Sequence, residues 1–292
     1  MRGHNVRRWA ALPLLLLLMG ALWIGWPRSR AALYSLQRER GRDQALAGLT
    51  GYQAKGSTHF VLWYTAADQA VADLVLETAE WIFEPVTARM GTTPAEQVPL
   101  VLYADRKTLQ QAFGSSTGQS AVGIYWRGTI RLLSPTAWIY ADSAEKMRAS
   151  YRRLNPIAHE LTHYLLDYMT DGNYPHWFSE GLAQWIEHQV TGYLWIEPQS
   201  SLNQELYSYT DLQRRFDQLP NQPLAYRQAH LMVVYLVHRF GGESLDGLVA
   251  RLARGESFAA ALQRETGLLP PAFFTEWLEW VQANPDKVEV PS

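Results

Sequence analysis

The stretch His159-Glu160-Leu161-Thr162-His163 constrains this chain more than any other. On an α-helix, positions i and i+4 lie one above the other, so both imidazoles can aim a ring nitrogen at one metal ion. Glu160 borders that face, where a carboxylate can take a proton from water without becoming a ligand. The chemistry therefore demands a helix, and the flanks agree. Asn155 can cap its start, Pro156 suits the first helical position, and Asp171-Gly172 can end it. Ile157, Ala158, Leu161, Leu165, Leu166 and Met169 supply the apolar stripe that packs it into a core.

A catalytic zinc takes three protein ligands, so one more must come from elsewhere. Glu180, in Trp177-Phe178-Ser179-Glu180-Gly181, is the candidate. The pattern predicts a second helix over residues 177–186, and the loop at 170–176 is long enough to fold it back on the first. Asp167, Asp171 and Glu187 are other nearby acids, competing for the role or merely solvated. His176 and His188 flank this helix at spacings from Glu180 that do not suit the same metal.

Residues 155–163, followed by residues 175–183, resemble the peptidase MA-like zinc metallopeptidases, the gluzincins. The resemblance runs over about residues 58–280, with its specific part at 155–187. It implies an α+β, zincin-like fold of two lobes, with a mixed sheet and a helical C-terminal lobe. It further implies zinc on His159, His163 and Glu180, Glu160 as general base, and a peptide or protein substrate. In such enzymes the C-terminal lobe donates a hydrogen bond to the oxyanion. On a helix predicted over 224–240, Tyr226, His230 and Tyr235 are the polar candidates, and Tyr226 is preferred. A strand beside the site binds extended peptide in gluzincin-like folds, and either flank of a hairpin predicted at 122–133 suits that task. One departure stands out: Gln184 replaces the acid that in some gluzincins orients a metal-bound histidine.

The remaining chain fits one catalytic domain over 43–283 with a polar tail at 284–292, since 47% hydrophobic residues suffice for a substantial core. Strands are expected at 59–64 and 98–103, helices at 68–89, 105–113, 245–262 and 271–281. Residues 1–42 form an N-terminal anchor and basic juxtamembrane linker. Arg2, Arg7 and Arg8 precede an uncharged run at 9–26 that lacks a small-x-small cleavage site. Its eighteen residues approach the length of a bilayer span, with Trp9, Trp23 and Trp26 at the interfaces. An uncleaved signal anchor with an extracytoplasmic catalytic domain is expected, or a secreted protein if the segment is cleaved. Residues 1–42 hold eight of the 26 basic residues and one of the 28 acidic ones, leaving about −9 on the rest. An acidic domain without a basic stripe argues against nucleic acid as a partner. The absence of cysteine excludes disulfides and a lipoprotein anchor. Besides hydrolysis, a zinc-containing module that binds peptide or cell wall with little turnover is compatible with these features.

Overall fold

The structure, a computed structural model, describes residues 29–112 and 121–284. The run at 9–26 and the tail at 285–292 lie outside the described residues. Among the described residues, no helix is long and apolar enough to cross a membrane.

Residues 29–47 form helix α1. Then come β1 (Gln53–Gly56), β2 (Phe60–Tyr64), α2 (Ala72–Met90), β3 (Val98–Tyr103), α3 (Arg106–Gln111), β4 (Gly123–Trp126) and β5 (Thr129–Leu133). The rest is helical: α4 (Ala144–Leu154), α5 (Ile157–Thr170), α6 (His176–Thr191), α7 (Tyr209–Arg215), α8 (Gln222–Phe240), α9 (Gly242–Ala253), α10 (Phe258–Thr266) and α11 (Pro270–Ala283). The architecture is α+β, a five-stranded mixed sheet followed by a mostly helical C-terminal region, consistent with a zincin-like fold.

The strands lie in the order β1-β2-β3-β5-β4. β2, β3 and β5 run parallel, and the two edge strands pair antiparallel to their neighbours. Central β3 reads Val-Pro-Leu-Val-Leu-Tyr because it is covered on both faces. Val98, Leu100 and Leu102 join the main core with α2 and α5, while Val101 and Tyr103 meet Leu46 at the end of α1 and Leu49 and Tyr52 just after it. The N-terminal segment thus closes the second face of the sheet.

The metal-motif helix is anchored by its apolar stripe. Ile157, Ala158, Leu161 and Leu166 are fully buried, each worth roughly 1.5–3 kcal/mol for a side chain as large as Leu or Ile. Asn155 Oδ1 accepts the Ile157 N–H at 3.0 Å, so the residue caps from one position further out than a strict N-cap. The helix ends where Asp171 and Gly172 turn left-handed, at φ 49° and 72°. α6 then packs against both α5 and α8. Gly181 makes the second contact possible: a Cβ there would sit 2.3 Å from the Ala229 carbonyl oxygen. Glycine in a helix interior costs about 1 kcal/mol relative to alanine, and the close approach of α8 is what requires it.

Two predicted helices differ in extent. α6 continues to Thr191, where Gly192 adopts φ 71°. The stretch predicted as one helix over 245–262 is broken into α9 and α10 by Gly255 at φ 83°, and Ser257 caps the second piece through the Ala260 N–H.

Candidate active site

α5 and α6 bring His159, His163 and Glu180 together. One ligand atom from each lies within 4.8 Å of the others, the one such trio of metal-ligating side chains among the described residues. His159 Nε2 is 3.3 Å from Glu180 Oε2, and His163 Nε2 is 3.6 Å from Glu180 Oε1. The edge of a tetrahedron around zinc, with bonds of about 2.0–2.2 Å, measures about 3.4 Å, so the donor set fits that ion. Both imidazoles turn Nε2 inward because Nδ1 is engaged elsewhere. His159 Nδ1 lies 3.4 Å from Glu187 Oε2, and His163 Nδ1 lies 2.7 Å from Ser179 Oγ.

Electrostatics favour a charged carboxylate between the rings. Burial pushes Glu180 up, but the His163 charge and hydrogen bonds from His159, His163 and His176 hold it well below the usual carboxylate range. Burial pulls the His159 imidazole down, yet hydrogen bonds to Glu180 and Glu187 hold it well above the ordinary histidine value. A metal ion competes with those imidazole protons.

Glu160 faces the edge of the sheet. Its Oε2 accepts the Tyr125 N–H at 2.6 Å, and burial raises its pKa against the pull of His159 and His163. The approach is tight, since a Cβ on Gly123 would lie 2.6 Å from Pro156 and 3.1 Å from the Glu160 Cγ. β4 is therefore the strand beside the site. β5, the other flank of the predicted hairpin, is enclosed between β3 and β4.

The sequence profile of the Peptidase MA superfamily matches residues 66–283, which include every residue of this cluster. The chain belongs to the Peptidase MA superfamily. No curated protein matches the chain. Membership implies a metallopeptidase hydrolase acting on peptides, with a site that could hold a metal, typically zinc in this superfamily.

Of the three candidate donors on α8, Tyr226 is the one beside the metal ligands. Burial, the charges of Glu180, Asp217 and Glu160, and a hydrogen bond to Glu180 push its phenol well above the usual value, keeping it protonated. Trp195 and Phe216 hold the ring edge-on and tilted at 5.4 and 5.2 Å. His230 instead faces His188 across α6 and α8, with 6.4 Å between rings, and burial lowers its pKa to about 3. Tyr235 donates to Glu276 of α11 at 3.1 Å.

Several contacts escaped sequence reasoning. His176 Nε2 reaches Glu180 Oε1 at 2.9 Å while its Nδ1 meets Asp217 Oδ1 at 2.9 Å, although it stays outside the ligand trio. Its i−4 relation to Glu180 was a usable signal for that contact. Asp167, one turn after His163, is buried among tyrosines that nothing local announces.

Proposed function

We propose that the protein is a zinc-dependent peptidase, held at the outer face of a membrane by residues 9–26, that hydrolyses peptide bonds with Glu160 as general base. The observation that carries the reading is Glu160 itself: a buried carboxylate next to two metal-ligating histidines, outside the ligand trio, and hydrogen-bonded to the edge strand. His159, His163 and Glu180 would hold zinc, which would supply a Lewis acid to polarise a carbonyl and acidify water. Glu160 takes the proton of the attacking water and passes it to the leaving amine. Tyr226, protonated and beside Glu180, donates to the oxyanion as it develops. An extended substrate lies along β4, the edge strand beside the site.

Stripping metal with a chelator is expected to abolish cleavage of a mixed peptide pool, and stoichiometric zinc to restore it. The same zinc should raise the melting temperature, because a ligand at a hundredfold excess over its Kd stabilises the folded state by about 2.7 kcal/mol. Cleavage that survives in metal-free protein would refute the zinc mechanism.

The anchor rests on the uncharged run and its flanking arginines. Full-length protein is expected in the membrane fraction after washing with high salt and alkaline carbonate, and accessible to protease only from the outer side. Release by carbonate would reject a spanning anchor.

A further inference from the structure

We propose that Glu187 is the positioning residue for His159, doing from two helical turns beyond Glu180 what the gluzincin resemblance would assign to position 184. The inference rests on the zinc reading above. His159 is bracketed by two acids of one helix: Nε2 is 3.3 Å from Glu180 and Nδ1 is 3.4 Å from Glu187. Seven residues of helix separate those acids by about 10 Å along the axis. The His159 imidazole bridges them, meeting one carboxylate at each nitrogen. An acid at position 184 would approach from only one turn away.

Position 184 is committed elsewhere. The Gln184 amide donates to the Tyr226 backbone oxygen at 3.2 Å, tying α6 to α8. Glu187, by contrast, is 7% exposed, so water competes little for its carboxylate. A carboxylate accepts and does not donate, so Glu187 would keep the proton on Nδ1 when a metal takes the place of the one that Nε2 shares with Glu180. Ser179, the partner of His163, either donates or accepts and imposes no such choice. Glu187 thereby sets the tautomer, the orientation and the basicity of one zinc ligand.

The test is zinc affinity by chelator competition on the full chain, with the visible spectrum of the cobalt-substituted protein as a second readout. Glu187→Ala is expected to weaken zinc about 10–100-fold, the usual range for removing such a partner. Glu187→Gln keeps an acceptor oxygen, so it should recover part of that loss while still binding more weakly than the native protein. Both substitutions should alter the cobalt absorption, which a purely structural role would leave alone. Gln184→Ala should bind zinc as the native chain does. Native-like affinity in either Glu187 variant, or weakening in Gln184→Ala instead, overturns the assignment. If Glu187→Ala fails to fold, the near-isosteric Glu187→Gln decides by the same two readouts. A native protein that takes up no zinc would overturn the metal reading itself, and this inference with it.

Discussion

Replacing Glu160 with Gln is expected to lower peptide hydrolysis by about 10²–10⁴-fold, the range that a positioned general base contributes, while zinc content stays at the native level. The two halves of that expectation come from separate geometry. Glu160 is outside the trio whose ligand atoms cluster within 4.8 Å, so metal binding does not need its charge. Its Oε2 meets the Tyr125 N–H at 2.6 Å, and an amide oxygen can accept that bond equally well, so the edge strand keeps its place. What glutamine cannot do is accept the water's proton. kcat/KM on a cleaved peptide and zinc stoichiometry, measured on one preparation, check both halves. Undiminished hydrolysis would remove Glu160 from the chemistry, whereas loss of zinc would mean that the residue holds the metal or the fold.

The parts of the molecule that were legible from sequence are those whose causes are local. α5 announces itself through ligand spacing, an Asn155 cap and an apolar stripe within one segment. β3 was readable because a strand buried on both faces must be continuously apolar. α4 was not, because among its many charged residues only Tyr151 is buried, so it lacks the broad apolar stripe that marks α5. Polar β1 becomes a strand only by pairing with β2. The basic segment read as a juxtamembrane linker is helical over 29–47, and Arg38 within it is buried against a residue 129 positions away. The site divides the same way. His159, Glu160 and His163 follow from helical spacing, and Glu180 needed only a helix folding back. The roles of Tyr125, Ser179 and Glu187 depend on how closely β4 and α6 approach α5, which no local pattern encodes.

The largest stability effect is expected at Asp167. This carboxylate is 1% exposed and receives hydrogen bonds from Tyr34 at 2.5 Å, Tyr125 at 2.6 Å and Tyr174 at 3.2 Å. Arg38, itself buried, binds its backbone oxygen at 3.1 Å and its Oδ2 at 3.5 Å. Burial and the Asp167 charge push the Tyr125 phenol well above its ordinary value, so it remains a donor. Asp167→Ala removes the common acceptor and the buried countercharge of Arg38, whose remaining acidic partners, Asp171 and Glu39, are about a third exposed. Breaking a buried pair from one side costs about 3–5 kcal/mol, and urea unfolding should show a loss of that size. Asp167→Asn keeps an acceptor and should lose less. The consequence extends to the chemistry, because Tyr125 is clamped to α5 twice, by its phenol at Asp167 and by its N–H at Glu160. Asp167→Ala frees the phenol and loosens the strand that Glu160 contacts, so it should lower kcat even at temperatures where it is folded, and Asp167→Asn should do so less. The same logic applies to α1: a chain shortened to begin at residue 43 loses Tyr34 and Arg38 and should unfold at lower urea than one beginning at residue 29. Equal midpoints for those two chains, together with an Asp167→Ala protein within 1 kcal/mol of native, would show that α1 merely rests on the domain. Different midpoints would mean that α1, through Tyr34 and Arg38 at Asp167, is part of what holds the domain together.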